Sequence, residues 1–367
     1  MPLEYNNEPE RPELLSTLIV RKDAPFNAEP PPPELVKHYI TPIPNFFCRS
    51  HGPIPDLDES HSISFEGLGI HGGKVHITVE DLKRRFEKTH VMMAMQVIWG
   101  PCAVGNAVYG GCRLRDVLES IGVTKSIKDV AKLHVDFRSI EQCEEDSCYG
   151  SSIPLPKALD PFGDVLLAYE MNHAPLTRDH GHPIRVVVPG YIGARSVKFL
   201  KEVRIQDFES ESYFQRKDYK ILPDHIETEE QAKQFWCKMP AIGEYNIQSY
   251  VCDPSDGVNE EPVQKRLVSG YALSGGGRSI QRVDVSGDDG KSWTQAELYQ
   301  PSAEGKYTHV WGWCLWTVRV DTKRNTRIVC RAVDSSGNIQ QEYPVWNYRG
   351  VMNNSWRTVE RKQSSIL

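Results

Sequence analysis

The sequence predicts two folded domains, an α+β domain followed by an all-β sandwich. Three observations carry this. At 367 residues the chain is long for one hydrophobic core. Its first 240 or so residues mix helix-period segments with short apolar runs. Beyond Pro240 the pattern changes to alternating strands and turn signals with no helical stretch. The divisions are an extended Pro-rich N-terminal arm over 1–40, the α+β domain over 41–240, and the sandwich over 241–367.

Each element follows from local chemistry. In the arm, Pro25 and the run Pro30 to Pro33 disfavour helix and predict a polyproline segment lying on the surface. Thr78 to Asp81 reads as a capping box opening a helix through Lys83 and Phe86. Leu114, Val117, Leu118 and Ile121 share one helical face, and Gly122 is a suitable stop. Asp164 to Tyr169 and Ile184 to Val188 read as short buried strands. In the last third, Arg282 to Val285 alternates, and Asp288-Asp289-Gly290 makes a hairpin turn before Trp293. Trp316 to Val320 and Thr326 to Val333 alternate as well, a pattern resembling the immunoglobulin-like sandwich. Sandwiches attached to catalytic domains commonly serve dimerisation, an inference by analogy.

Composition narrows the function classes. Hydrophobic content of 39% and charged content of 25% suit a folded globular protein. No apolar run reaches membrane-spanning length, and Met1 to Arg11 lacks the regions of a signal peptide, so no membrane partner is expected. A net charge of -6 without a basic stripe argues against nucleic acid. Any anion site must therefore be a local pocket. The nine cysteines include no C-x-x-C pair and read as free thiols in a reducing compartment. Ser365-Ile366-Leu367 is a loose variant of a peroxisomal address, giving the peroxisomal matrix or the cytosol as the expected location.

The stretch from Arg178 to Lys198 is the most informative. It sets His180, Arg185, Arg195 and Lys198 around an apolar strand with Pro-Gly and Gly-Ala turns, the groups a phosphorylated anion requires. A buried strand with solvated charges at its ends explains the same pattern.

Matching segments elsewhere favour the first reading. Pro25 to Pro30, His51 to Pro55, Gly105 to Gly111, Asp164 to Asn172, Asp218-Tyr219-Lys220, Ser274 to Arg278, Trp346 to Val351 and Asn354 to Trp356 all resemble the sulfite oxidases of the molybdenum-cofactor family. The likeness is greatest to the short plant-type form without a haem domain. Eukaryotic nitrate reductase shares these two domains. The resemblance implies a molybdopterin-binding domain followed by an immunoglobulin-like dimerisation domain. It also implies Mo-molybdopterin as cofactor, with no haem and no flavin, a homodimer, and oxidation of sulfite to sulfate with oxygen as acceptor. By the same resemblance Phe47, Cys48, Arg49, Ser50 and His51 form the first cofactor-binding segment, although relatives carry Asn where Ser50 stands. His180, Arg185, Ser196, Val197 and Lys198 form the others, with Arg185 and Lys198 suited to phosphate. Arg49 and Arg349 would hold the oxyanion, Trp99 would wall the pocket, and Tyr219 would donate a hydrogen bond. Core packing is the alternative for Trp99 and Tyr219.

One departure stands out. Family members carry Cys-Ala-Gly-Asn-Arg-Arg after the helix near Phe86, and its cysteine is the protein ligand to molybdenum. Here the chain runs from Met92 to Gln96 straight into Val97-Ile98-Trp99, and the motif is absent. No residue is therefore assigned as a metal ligand, and the expectation is a chain that binds cofactor weakly and oxidises sulfite poorly or not at all. Natural loss, a misspliced gene, or a replacement ligand would each account for the gap, missplicing best. Cys102 is the nearest replacement, though it reads better as a small buried hydrophobe.

Overall fold

A computed structural model describes residues 3–97, 102–254, 264–304, 309–322 and 326–359. Trp99 and the tripeptide Ser365-Ile366-Leu367 lie outside the described residues.

The N-terminal arm is more structured than its prolines predict. It holds two short helices, Pro12–Thr17 and Pro32–Leu35, each with proline in the first turn, where no backbone N–H is needed. Between them the strands Ile19–Lys22 and Asn27–Glu29 pair, and the second adds Cys48–Arg49 as a third strand. The arm thus buttresses a segment predicted to bind cofactor.

Two five-stranded sheets build the α+β domain. In one, Lys88–Gln96 and Val104–Arg113 form a long antiparallel hairpin, flanked by Leu166–Met171, which also pairs with Ala174–Pro175 and Arg185–Val187. The other runs Lys74–Thr78, Ser62–Gly67, Leu200–Gln206, His134–Ser139, Gly150–Pro154, with one parallel pairing between Ser62–Gly67 and Leu200–Gln206. Thr78 caps the helix Val79–Arg85 by accepting from the Asp81 backbone N–H at 3.0 Å. The helix Leu114–Ser120 buries Leu114, Val117 and Leu118, and Gly122 ends it at φ 105°.

The last third is a sandwich of two four-stranded sheets. Gln248–Asp253, Gln264–Leu273, Cys314–Thr322 and Glu297–Tyr299 form one, and Thr294–Gln295, Ile280–Ser286, Ile328–Asp334 and Arg357–Val359 the other. Their inner faces bury Val268, Val283, Val285, Trp316 and Cys330. The hairpin turn falls where predicted, with Asp289 and Gly290 both at positive φ. Among the described residues no helix is long and apolar enough to cross a membrane.

Candidate cofactor and anion site

Eight of the predicted residues meet in one cleft of the α+β domain. Phe47, Arg49, His51, His180, Arg185, Ser196, Lys198 and Tyr219 all line it. The cleft has room for a small oxyanion.

Short irregular turns position the cationic groups. The turn Arg178–His180 ends at Gly181, whose φ of 107° suits glycine, and delivers His180 beneath Phe46. The His180 Nδ1 shares a 2.7 Å hydrogen bond with Thr177 Oγ1, and burial holds its imidazole down at about 3. Arg185, on the strand Arg185–Val187, donates to the carbonyls of His180 (3.0 Å) and Ser196 (2.9 Å). Its Nε is buried without an acceptor. Lys198 Nζ donates to Ser50 Oγ at 3.2 Å and to the Asp179 carbonyl at 2.9 Å. Burial lowers both cations' pKa values, and Glu141 opposes that shift at Lys198. Arg49 Nη1 donates to Asn27 Oδ1 at 2.9 Å. Buried cations held by carbonyls and amides, with one N–H left over, constitute an anion site.

Eight lining residues were not assigned from the sequence, among them Phe46, Val97 and Ala194. Glu141 accepts from the backbone N–H groups of His51 (2.8 Å) and Gly52 (3.0 Å), and burial raises its pKa. Gly52 is obligatory because a Cβ there would lie 1.7 Å from the Gln142 carbonyl oxygen. Tyr149 and Phe214 flank His51 with ring centroids 4.6 and 4.4 Å away. Met95, Asp179 and Gly193 complete the set, and Met95 Sδ lies 3.4 Å from Arg185 Nη2.

Several predicted residues sit elsewhere. Cys48 lies behind the lining, its thiol 3.9 Å from His180 Nε2 and pushed up to about 12 by burial. Ser50 supports Lys198 from outside the lining, and Val197 is core. Arg195 is a strut: it donates to the Ile242 carbonyl, Ser151 Oγ and Gln215 Oε1. Arg349 does not line the cleft. Its Nη2 pairs with Asp218 Oδ1 at 2.9 Å, one residue from Tyr219, because that carboxylate captures the guanidinium at the edge.

The metal side contrasts with this. Gln96 pairs with Val104 and the Val97 N–H donates to the Ala103 carbonyl at 2.9 Å, so strand pairing runs without a break past the point where the motif is missing. Cys102 is buried in the main core, outside the lining, with its thiol pushed up to about 12 by burial. Among the described residues no group of three or more His, Cys, Asp or Glu side chains could hold a metal ion. The cationic half fits the phosphate of a pterin; the other half offers molybdenum no thiolate.

Comparison with known proteins matches this geometry. Residues 51–214 match the model for the oxidoreductase molybdopterin binding domain, and residues 239–364 that for the Mo-co oxidoreductase dimerisation domain. The sulfite oxidase of Arabidopsis thaliana is 39% identical over 98% of this chain and 96% of its own length. The chain belongs to the sulfite oxidase family of molybdenum oxidoreductases. Within that family, the mitochondrial sulfite oxidase of Homo sapiens is 39% identical over 97% of this chain and 67% of its own length. The nitrate reductase of Hordeum vulgare is 37% identical over 92% of this chain and 41% of its own. The sulfane dehydrogenase SoxCD from Paracoccus pantotrophus has the same fold, with a TM-score of 0.75 over 96% of this chain and 90% of its own at 24% identity. The alignment with the plant sulfite oxidase runs over 385 positions, more than the 367 residues here, so that relative holds residues with no counterpart in this chain.

Proposed function

We propose that the cleft binds sulfite-type oxyanions and the phosphate of a pterin, and that this polypeptide oxidises sulfite at best feebly. The carrying observation is the set of Arg49, Arg185, Lys198 and His180 around one cleft, with Arg185 Nε lacking an acceptor. Sulfite is a dianion near neutral pH, and fixed cations in a partly dehydrated site bind it without reorganising. Arg49, within the first cofactor segment, supplies charge, and Tyr219 is a further lining residue. A neutral His180 leaves room for a phosphate between Arg185 and Lys198 without adding a third buried charge. Among the described residues none is placed to hold the metal.

A fully competent relative of this design would convert sulfite to sulfate with molecular oxygen as acceptor. The second reading, a non-catalytic binding protein, is favoured by the unbroken strand pairing and the buried Cys102. In both readings the sandwich joins two copies of the chain. The compartment we propose is the peroxisomal matrix or the cytosol.

Sulfite-dependent peroxide release by the purified chain is the direct test. Release at background level, with sulfate binding detectable by calorimetry, is the expected result. Turnover within about tenfold of the plant relative, a barrier difference of about 1.4 kcal/mol, contradicts the reading of the metal side. Absence of sulfate binding contradicts the reading of the cationic side.

A further inference from the structure

The cleft contains a carboxylate that ought to oppose its function. Asp179 lines the cavity, and its own carbonyl anchors Lys198 Nζ at 2.9 Å. A free carboxylate at that place would compete with any incoming anion for the lysine. Its pull on Lys198 is real but shared, because an arginine from the N-terminal arm pairs with it. Arg11 Nε lies 2.7 Å from Asp179 Oδ1, with both side chains less than a tenth exposed.

Arg11 is itself fixed on three sides. Its Nη2 donates to Glu8 Oε2 at 2.5 Å, and its guanidinium lies 4.1 Å over the Phe26 ring. Glu8 in turn accepts from the Ile54 N–H at 2.8 Å, which ties the arm to the segment following His51. The three charges of Arg11, Asp179 and Lys198 all act on the buried Cys48 thiol, so they share one neighbourhood. Residue 11 lies outside both matched family models, which cover 51–214 and 239–364.

We infer that Arg11 is a positioning residue: it holds the Asp179 carboxylate away from Lys198 and so keeps the cleft positive toward anions. This inference rests on the anion-site reading above. It turns the N-terminal arm from packing into a part that sets anion affinity.

Calorimetric titration of the full chain with inorganic sulfate tests it. Arg11→Gln should weaken sulfate binding by at least about tenfold, since an unpaired buried carboxylate then faces Lys198. Adding Asp179→Asn to that variant should return affinity to within about threefold of the parent, because no charge is left to shield. Asp179→Asn alone should bind sulfate as tightly as the parent or more tightly. A merely structural Arg11 predicts something else: the double variant stays as weak as Arg11→Gln. That result, or unchanged binding in Arg11→Gln, would overturn the inference. Should Arg11→Gln fail to fold, Asp179→Asn alone decides, and weakened binding there counts against it. If the parent itself binds no sulfate, the underlying anion-site reading fails, an outcome distinct from any change among the variants.

Discussion

The two halves of the cleft have different fates. On one side the turns Arg178–His180 and Gly193–Arg195 and the strand Arg185–Val187 arrange buried cations by carbonyls, amides and one hydroxyl. On the other, Lys88–Gln96 pairs along its length with Val104–Arg113, and no described cysteine lines the cleft. The difference teaches that the two functions have separable supports. The phosphate corner is built mainly from the segment around Arg178 to Lys198, with Met95 Sδ against Arg185 and Val97 in the lining beside the point where the motif is missing.

The comparison can be broken most strongly at Arg185. Arg185→Ala should abolish measurable sulfate binding, a loss of about a hundredfold or more, because it removes the charge whose Nε awaits an acceptor. Retained affinity in a titration would show that the cationic side is not where anions go.

A smaller effect is expected from pH. The His180 imidazole is held at about 3 by burial, against an ordinary value of 6.5. Between those values the unfolded chain binds a proton that the folded chain refuses. Stability from this group is therefore complete above 6.5 and is lost as pH falls toward 3, by up to about 5 kcal/mol. Urea denaturation across that window checks it, and His180→Gln should flatten the dependence. Sulfate added at pH 5 should leave the parent's slope in place if His180 stays neutral.

The smallest effect sharpens the other side. Cys102→Ala should cost about 1 kcal/mol of stability through lost packing and leave sulfate affinity and metal content unchanged. A fall in bound molybdenum would instead show that Cys102 had replaced the missing ligand.

Much of this was legible in the sequence, and the misses share a cause. His180, Arg185 and Lys198 are readable because their motif places cations beside turns, and the turns do deliver them to the cleft. Arg195 comes from the same motif yet serves as a strut, since Gln215 and Ser151 capture it from distant segments. Arg349 likewise is captured by Asp218 at the cleft's edge. Residue type shows that a charge exists; only folding shows which partner takes it. Glu141 and Tyr149 carried no signal because their loop meets Ser50 to Gly52 across the fold, through Glu141's bonds to two backbone N–H groups. Met95 entered only as part of the flank Met92 to Gln96; it belongs to a core cluster and also lines the cleft. The N-terminal arm was underread for another reason. Proline excludes helix interiors but not first turns, and the strand Asn27–Glu29 depends on a partner twenty residues later.

The central claim is that pterin support and metal support have come apart in this chain. Molybdenum and pterin content, measured together on the same protein purified from a host that makes the cofactor, tests it most directly. Pterin is expected detectable but below one per chain, with molybdenum far below the pterin. Equal amounts of the two, both near one per chain, would contradict it.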